Sequence, residues 1–140
     1  MRVTFILFLS LLASNVFSQT TKVNEKDTTA EFTSVQVEAE FPGGAKAWKK
    51  YLEKNLNVDL AQLIPLPKGE KTARQTVIVS FLVDSLGNIS DVKAENASEV
   101  LPALAREAVR VIKNGPKWKA AQLNGKEVIY RQGQSITWVR

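Results

Sequence analysis

The sequence predicts an α+β fold in which two helices pack on a three-stranded sheet. QTVIVSFLVD, then SLGN and ISDVKAE, alternates apolar and polar residues around a turn, which is the pattern of an antiparallel hairpin over residues 76–95. EVLPALAREAVRVIKNGP repeats apolar residues at helical spacing. KEVIYRQGQSITWV returns to a period of two, so the chain closes with a long strand over 127–139.

The elements follow in order from the N-terminus. MRVTFILFLSLLASNVFS carries Arg2, an apolar run over residues 3–13 and small residues before Gln19, so residues 1–18 read as a secretory signal peptide cleaved after Ser18. The run is shorter than the roughly 20 apolar residues that a spanning helix requires. A retained inner-membrane anchor is the alternative. QTTKVNEKDTTAEFTS has too few apolar residues to bury a face, so 19–39 are expected as a flexible polar leader, with VQVEAEF as a short strand or extended lead-in to a domain over 40–140.

In EFPGGAKAWKKYLEKNL, Phe41, Ala45, Trp48, Leu52 and Leu56 recur at helical spacing with Tyr51 beside them, while Lys46, Lys49, Lys50, Glu53 and Lys54 take the remaining surface. A helix over 44–55 follows. Gly43 and Gly44 turn the chain sharply into it, and the lysine and hydroxyl offsets of a phosphate loop are absent. Residues 57–75, with two prolines and a glycine, are a connector whose Leu63, Ile64 and Leu66 pack onto the core.

The second helix places Leu101, Leu104, Ala105, Ala108, Val111 and Ile112 on one stripe and Arg106, Glu107, Arg110 and Lys113 opposite. Asn114 and Gly115 suit a left-handed cap, and Pro116 ends the helix. Asn124 and Gly125 turn the chain into the last strand, where Gly133 marks a candidate bulge. A hairpin, a crossover helix and a last strand give the spatial order second, first, third, which leaves the last strand at an edge.

The chemistry on offer is narrow. The chain has no histidine and no cysteine, which removes imidazole proton shuttles, His-ligated metals, disulfides and thiolate chemistry. Asp84 and Asp91 flank the hairpin turn and read as turn chemistry rather than an acid–base pair. Trp48 and Trp118 read as packing residues, and Trp138 is left between core and partner-facing roles. The net charge of +5 keeps a small protein soluble, and with no recognition helix or stacking platform a nucleic-acid partner is not expected. No catalytic residue, metal ligand or cofactor site is expected. What remains is the edge strand, whose unpaired main chain either accepts an extended peptide or is simply kept soluble by Arg131 and the glutamines.

EFPGGAKAWKKYLEKNL, VIVSFLVDSLGNISDVKAEN and AVRVIKNGPKWKAAQLNGKEVIYRQGQSIT together resemble the C-terminal domain of TonB in its Bacteroidetes form, from about residue 40 to the end. FPGG, the GNISDV turn and GPKW before NG, in that order, carry the likeness. The resemblance implies a periplasmic domain without enzymatic activity whose last strand, 128–139, pairs with the TonB box of an outer-membrane receptor. The residues so implied are Val128, Ile129, Tyr130, Arg131, Gln132, Gln134, Ile136 and Trp138. A leader of about 20 residues, at about 3.5 Å each, is too short to cross an envelope compartment, so a binding module is expected first. The alternatives are an anchored energy transducer, with an inner-membrane motor as partner only if the N-terminal segment stays uncleaved, and an adhesion module using Lys46, Lys49, Lys50 and Lys54 on anionic glycan or lipid. The edge could also pair with a second copy.

Overall fold

The computed structural model describes residues 30–140. The signal segment 1–18 and leader residues 19–29 lie outside the described residues. The elements are β1 (Glu31–Phe32), α1 (Gly44–Asn55), β2 (Arg74–Val83), β3 (Ile89–Ala94), α2 (Pro102–Lys113), β4 (Ala121–Leu123) and β5 (Lys126–Val139). A 3-10 stretch at Val58–Leu63 joins α1 to the connector.

β2 is the central strand, antiparallel to β3 on one side and to β5 on the other, so the expected three-stranded order stands. Two short strands enlarge the sheet. β1 runs parallel to β5, and β4 forms a hairpin with the start of β5 through Asn124 and Gly125. The described part of the leader is therefore tied down rather than flexible: besides β1, Val37 and Glu40 bridge Gln122 and Lys119.

The period-two pattern of β2 decides the layering. Val77, Val79, Phe81 and Val83 are fully buried, and their partners Ile136, Gln134, Gln132 and Tyr130 share their face. Burying each such apolar side chain contributes about 1.5–3 kcal/mol. Leu104, Ala108, Val111 and Ile112 of α2 complete that core. α1 joins it through an aromatic cluster in which Trp118 meets Phe41, Trp48 and Phe81 at centroid distances of 5.7, 5.6 and 5.0 Å. Tyr51 donates its hydroxyl to the Val111 carbonyl at 2.7 Å, fixing α1 to α2.

Several local expectations change. Ala45 is exposed, and Ala47 packs on the core in its place. Of the connector residues, Ile64 is buried but Leu63 and Leu66 are exposed. Glu107, placed on the outer face by helical spacing, is buried: it accepts the Asn57 N–H at 2.8 Å and both Arg110 Nε and Nη2 at 2.7 and 2.6 Å. The Arg110 hydrogen bonds hold its carboxyl below the usual range against the opposing effect of burial. α2 ends without a left-handed residue, with Asn114 at φ −89°; Gly115 is instead closely approached, since a Cβ there would meet Tyr51 Oη at 3.2 Å and the Ile112 carbonyl oxygen at 3.3 Å. Gly133 carries no bulge, because the β2–β5 register runs unbroken past it. The irregularity lies on β3, where the register shifts between Ser80 and Leu82 and Asp91 adopts φ 47°.

The hairpin turn is set by Asp84 as expected. Its Oδ1 accepts the Leu86 and Asn88 N–H groups at 2.9 and 2.8 Å, and its Oδ2 accepts Asn88 Nδ2 at 2.9 Å. Gly87, at φ 84°, lies so close to Trp118 that a Cβ would stand 2.0 Å from the Trp118 carbonyl oxygen. Gly125 has a similar φ of 74° but open space around it. Gly87→Ala is therefore expected to cost more than about 2 kcal/mol in urea unfolding, because strain and clash add, whereas Gly125→Ala costs about 1 kcal/mol from the backbone alone. Equal losses at the two sites would refute the close-approach account.

Candidate functional site

β5 alternates in its main chain as well as its side chains. Ala73 and Arg140 exchange both N–H···O bonds, at 3.0 and 2.8 Å, and from that pair the register fixes the rest of the antiparallel ladder. Tyr130, Gln132, Gln134, Ile136 and Trp138 turn their main-chain groups toward β2. Gly133, Ser135, Thr137 and Val139 turn theirs away. On β2 the same alternation sends Ile78 toward β3, where its carbonyl accepts the Glu95 N–H at 2.8 Å and its N–H meets Asn96 Oδ1 at 2.9 Å.

The outward rim of β5 is covered only at its start. There β1 pairs with Ile129 and Tyr130, while β4 pairs with the preceding Lys126, Glu127 and Val128. Among the described residues no strand pairs with the outer side of 133–139. One acceptor on it is engaged locally, the Gly133 carbonyl, which takes Gln132 Nε2 at 3.1 Å.

These facts sort the residues expected from sequence. Val128, Ile129 and Tyr130 are covered by the protein's own strands. Gln132, Gln134, Ile136 and Trp138 spend their main-chain groups on β2, and Gln132, Ile136 and Trp138 are buried on the core face. Trp138 donates its indole N–H to the Asn57 carbonyl at 3.0 Å, which settles it as a core residue. Arg131 stands at the boundary between covered and free rim. Not named from the sequence were Gly133, Ser135, Thr137 and Val139, the outward phase of the same alternation along the unpaired rim.

Arg131 holds the covered end in place. Its Nε donates to Glu31 Oε1 at 2.6 Å and its Nη2 to Asp91 Oδ2 at 2.7 Å, while Lys93 Nζ approaches the same Asp91 oxygen at 3.0 Å. The bulge at Asp91 brings that carboxylate within reach, so the cluster ties β1, β5 and β3 together on the open sheet face. The Arg131 hydrogen bond holds Glu31 below the usual carboxylate range, and those of Arg131 and then Lys93 do the same for Asp91. The same pairing raises Arg131 further above its ordinary value. Asp84 and Asp91 therefore serve a turn and an ion cluster and do not face each other as a catalytic pair.

The sign of the pH effect follows. Carboxyls with depressed native values stabilise the fold above their unfolded values near 3.9–4.3, and that stabilisation is lost as pH falls through the native ones. Arg131→Met is expected to flatten part of the stability loss between about pH 5 and pH 3, read from urea unfolding at a series of pH values; an unchanged slope would show that the cluster contributes nothing.

A family model for the Gram-negative bacterial TonB protein C-terminal matches residues 68–139. The match takes in β2, β3, α2, β4 and β5, hence the whole ladder and its rim, and leaves β1 and α1 outside. No curated protein and no solved structure matches the chain significantly. With the matched region spanning just over half of the chain and coinciding with the elements that build the free rim, the chain belongs to the family of TonB C-terminal domains.

Proposed function

We propose that the protein is a periplasmic binding module that adds an extended segment of an outer-membrane receptor, or of another envelope protein, to β5 along residues 133–139. The observation that supports this most directly is the unpaired rim: outward main-chain groups at Gly133, Ser135, Thr137 and Val139, flanked by a covered end. Strand addition takes its affinity from main-chain hydrogen bonds and needs no catalytic side chain. Membership of a family of envelope protein-interaction domains favours the same reading.

Ser135→Pro and Thr137→Pro each remove one outward amide while leaving the ladder to β2 intact. Each is expected to abolish slowed hydrogen exchange at Gly133 and Val139 on addition of receptor-derived extended peptides, with little change in melting temperature. If peptide protection persists in both variants, strand addition along this rim is wrong.

Family membership also favours a second reading, energy transduction from an uncleaved N-terminal anchor. Among the described residues no helix is long and apolar enough to cross a membrane. Mass spectrometry of the protein from the cell envelope separates the two readings. A chain beginning at Gln19 is expected for the binding module; one retaining residues 5–12 would establish the anchor.

A further inference from the structure

Next to the free rim, on the helix side of the sheet, lies an open groove of about 210 Å³ whose walls include Glu38, Glu40, Trp48, Trp118, Gln132 and Gln134. Gln132 is only 6% exposed, and its Oε1 is buried with no hydrogen-bond partner. Its Nε2 is already committed to the Gly133 carbonyl, so one side chain joins the groove to the rim. A buried acceptor left unmet costs about 1–3 kcal/mol and calls for a donor.

The surroundings choose the kind of donor. Glu38 and Glu40 stand on either side of buried Ala39 at the mouth, and Glu40 is held by reciprocal main-chain bonds with Lys119 at 3.0 and 2.7 Å. The Glu40 carboxylate lies close against the start of α1, where a Cβ on Gly44 would stand 2.9 Å from its Oε1. Trp48 and Trp118, 5.6 Å apart between centroids, supply aromatic walls. Two carboxylates select a cation over a neutral donor, and indole rings attract it further. A carboxylate-bearing guest is disfavoured by the same groups.

We infer that this groove receives the side chain of a lysine or arginine carried by the polypeptide that pairs with the rim, an inference that rests on the strand-addition reading above. A partner residue opposite Gln132 or Gln134 places its side chain on the same face of the sheet as those glutamines, which is the groove side. A long apolar stem lies along the tryptophans while its charged tip reaches the carboxylates. Turning about its terminal torsion, Gln132 presents its oxygen to that tip and gives up its bond to the Gly133 carbonyl, which is then free for the incoming main chain.

The test is an NMR titration of the full mature chain with N-acetyl-lysine amide and N-acetyl-arginine amide, using N-acetyl-norleucine amide as the uncharged control. The two cationic probes are expected to give saturable shifts at the Trp48 and Trp118 indoles and the Gln132 side-chain amide, weakening with salt. Glu40→Gln, an exposed position that leaves the fold alone, and Gln132→Leu are each expected to weaken them about tenfold or more. Equal shifts with norleucine amide, no saturable shift at these groups, or indifference to Glu40→Gln would overturn the assignment. Ser135→Pro keeps the two ideas apart. Single-residue probes bind that variant unchanged if the groove is right, and loss of extended-peptide binding there reports only on the rim.

Discussion

Everything in this fold depends on the long antiparallel ladder between β2 and β5. Its register from Arg74↔Val139 to Val83↔Tyr130 fixes which side chains form the core and, at the same time, which main-chain groups are consumed. Val77, Val79, Phe81 and Val83 with Ile136 and Trp138 receive α2 and the aromatic cluster on one face. The other face carries Thr76 against Thr137, with their hydroxyls bonded at 2.8 Å, and the cluster around Arg131. At the far end, Arg140 donates to the Ile64 carbonyl at 2.8 Å, so the connector fastens the end of the ladder.

Much of the architecture was legible because it is periodic. The alternation of β2, the helical stripe of α2 and the Asn124–Gly125 turn each state their element locally, and the strand order follows from their sequence. β1 was not legible. Glu31 and Phe32 sit among threonines with no alternation to notice, and what holds them is Arg131, one hundred residues away. Glu107 misled for a similar reason: helical spacing puts it outside, but the Asn57 N–H and Arg110 satisfy it within the packed layer. Buried charge of this kind is decided by partners that no local pattern contains.

The candidate site was half legible. Sequence pattern pointed to β5, but most of the residues named on it, Val128, Tyr130, Gln132, Gln134, Ile136 and Trp138, belong to the phase that faces the core or β2, and Ser135 and Thr137 of the outward phase were passed over. Along a β-strand, main-chain direction and side-chain direction share a phase. The residues with the least conspicuous side chains are therefore those whose amides are free. Gln132 is the exception: its side chain belongs to the core face while its terminal amide reaches the rim carbonyl of Gly133.

β1 closes the exposed margin at one end and leaves the other open. Under the proposed strand addition, an incoming ribbon sliding toward the start of β5 halts against Phe32, because the places beyond are taken. A slip of a single position would swap the ribbon's two faces, so a fixed end wall acts as the zero mark of a ruler. On that proposal, two residues of leader set the alignment in which a guest is read.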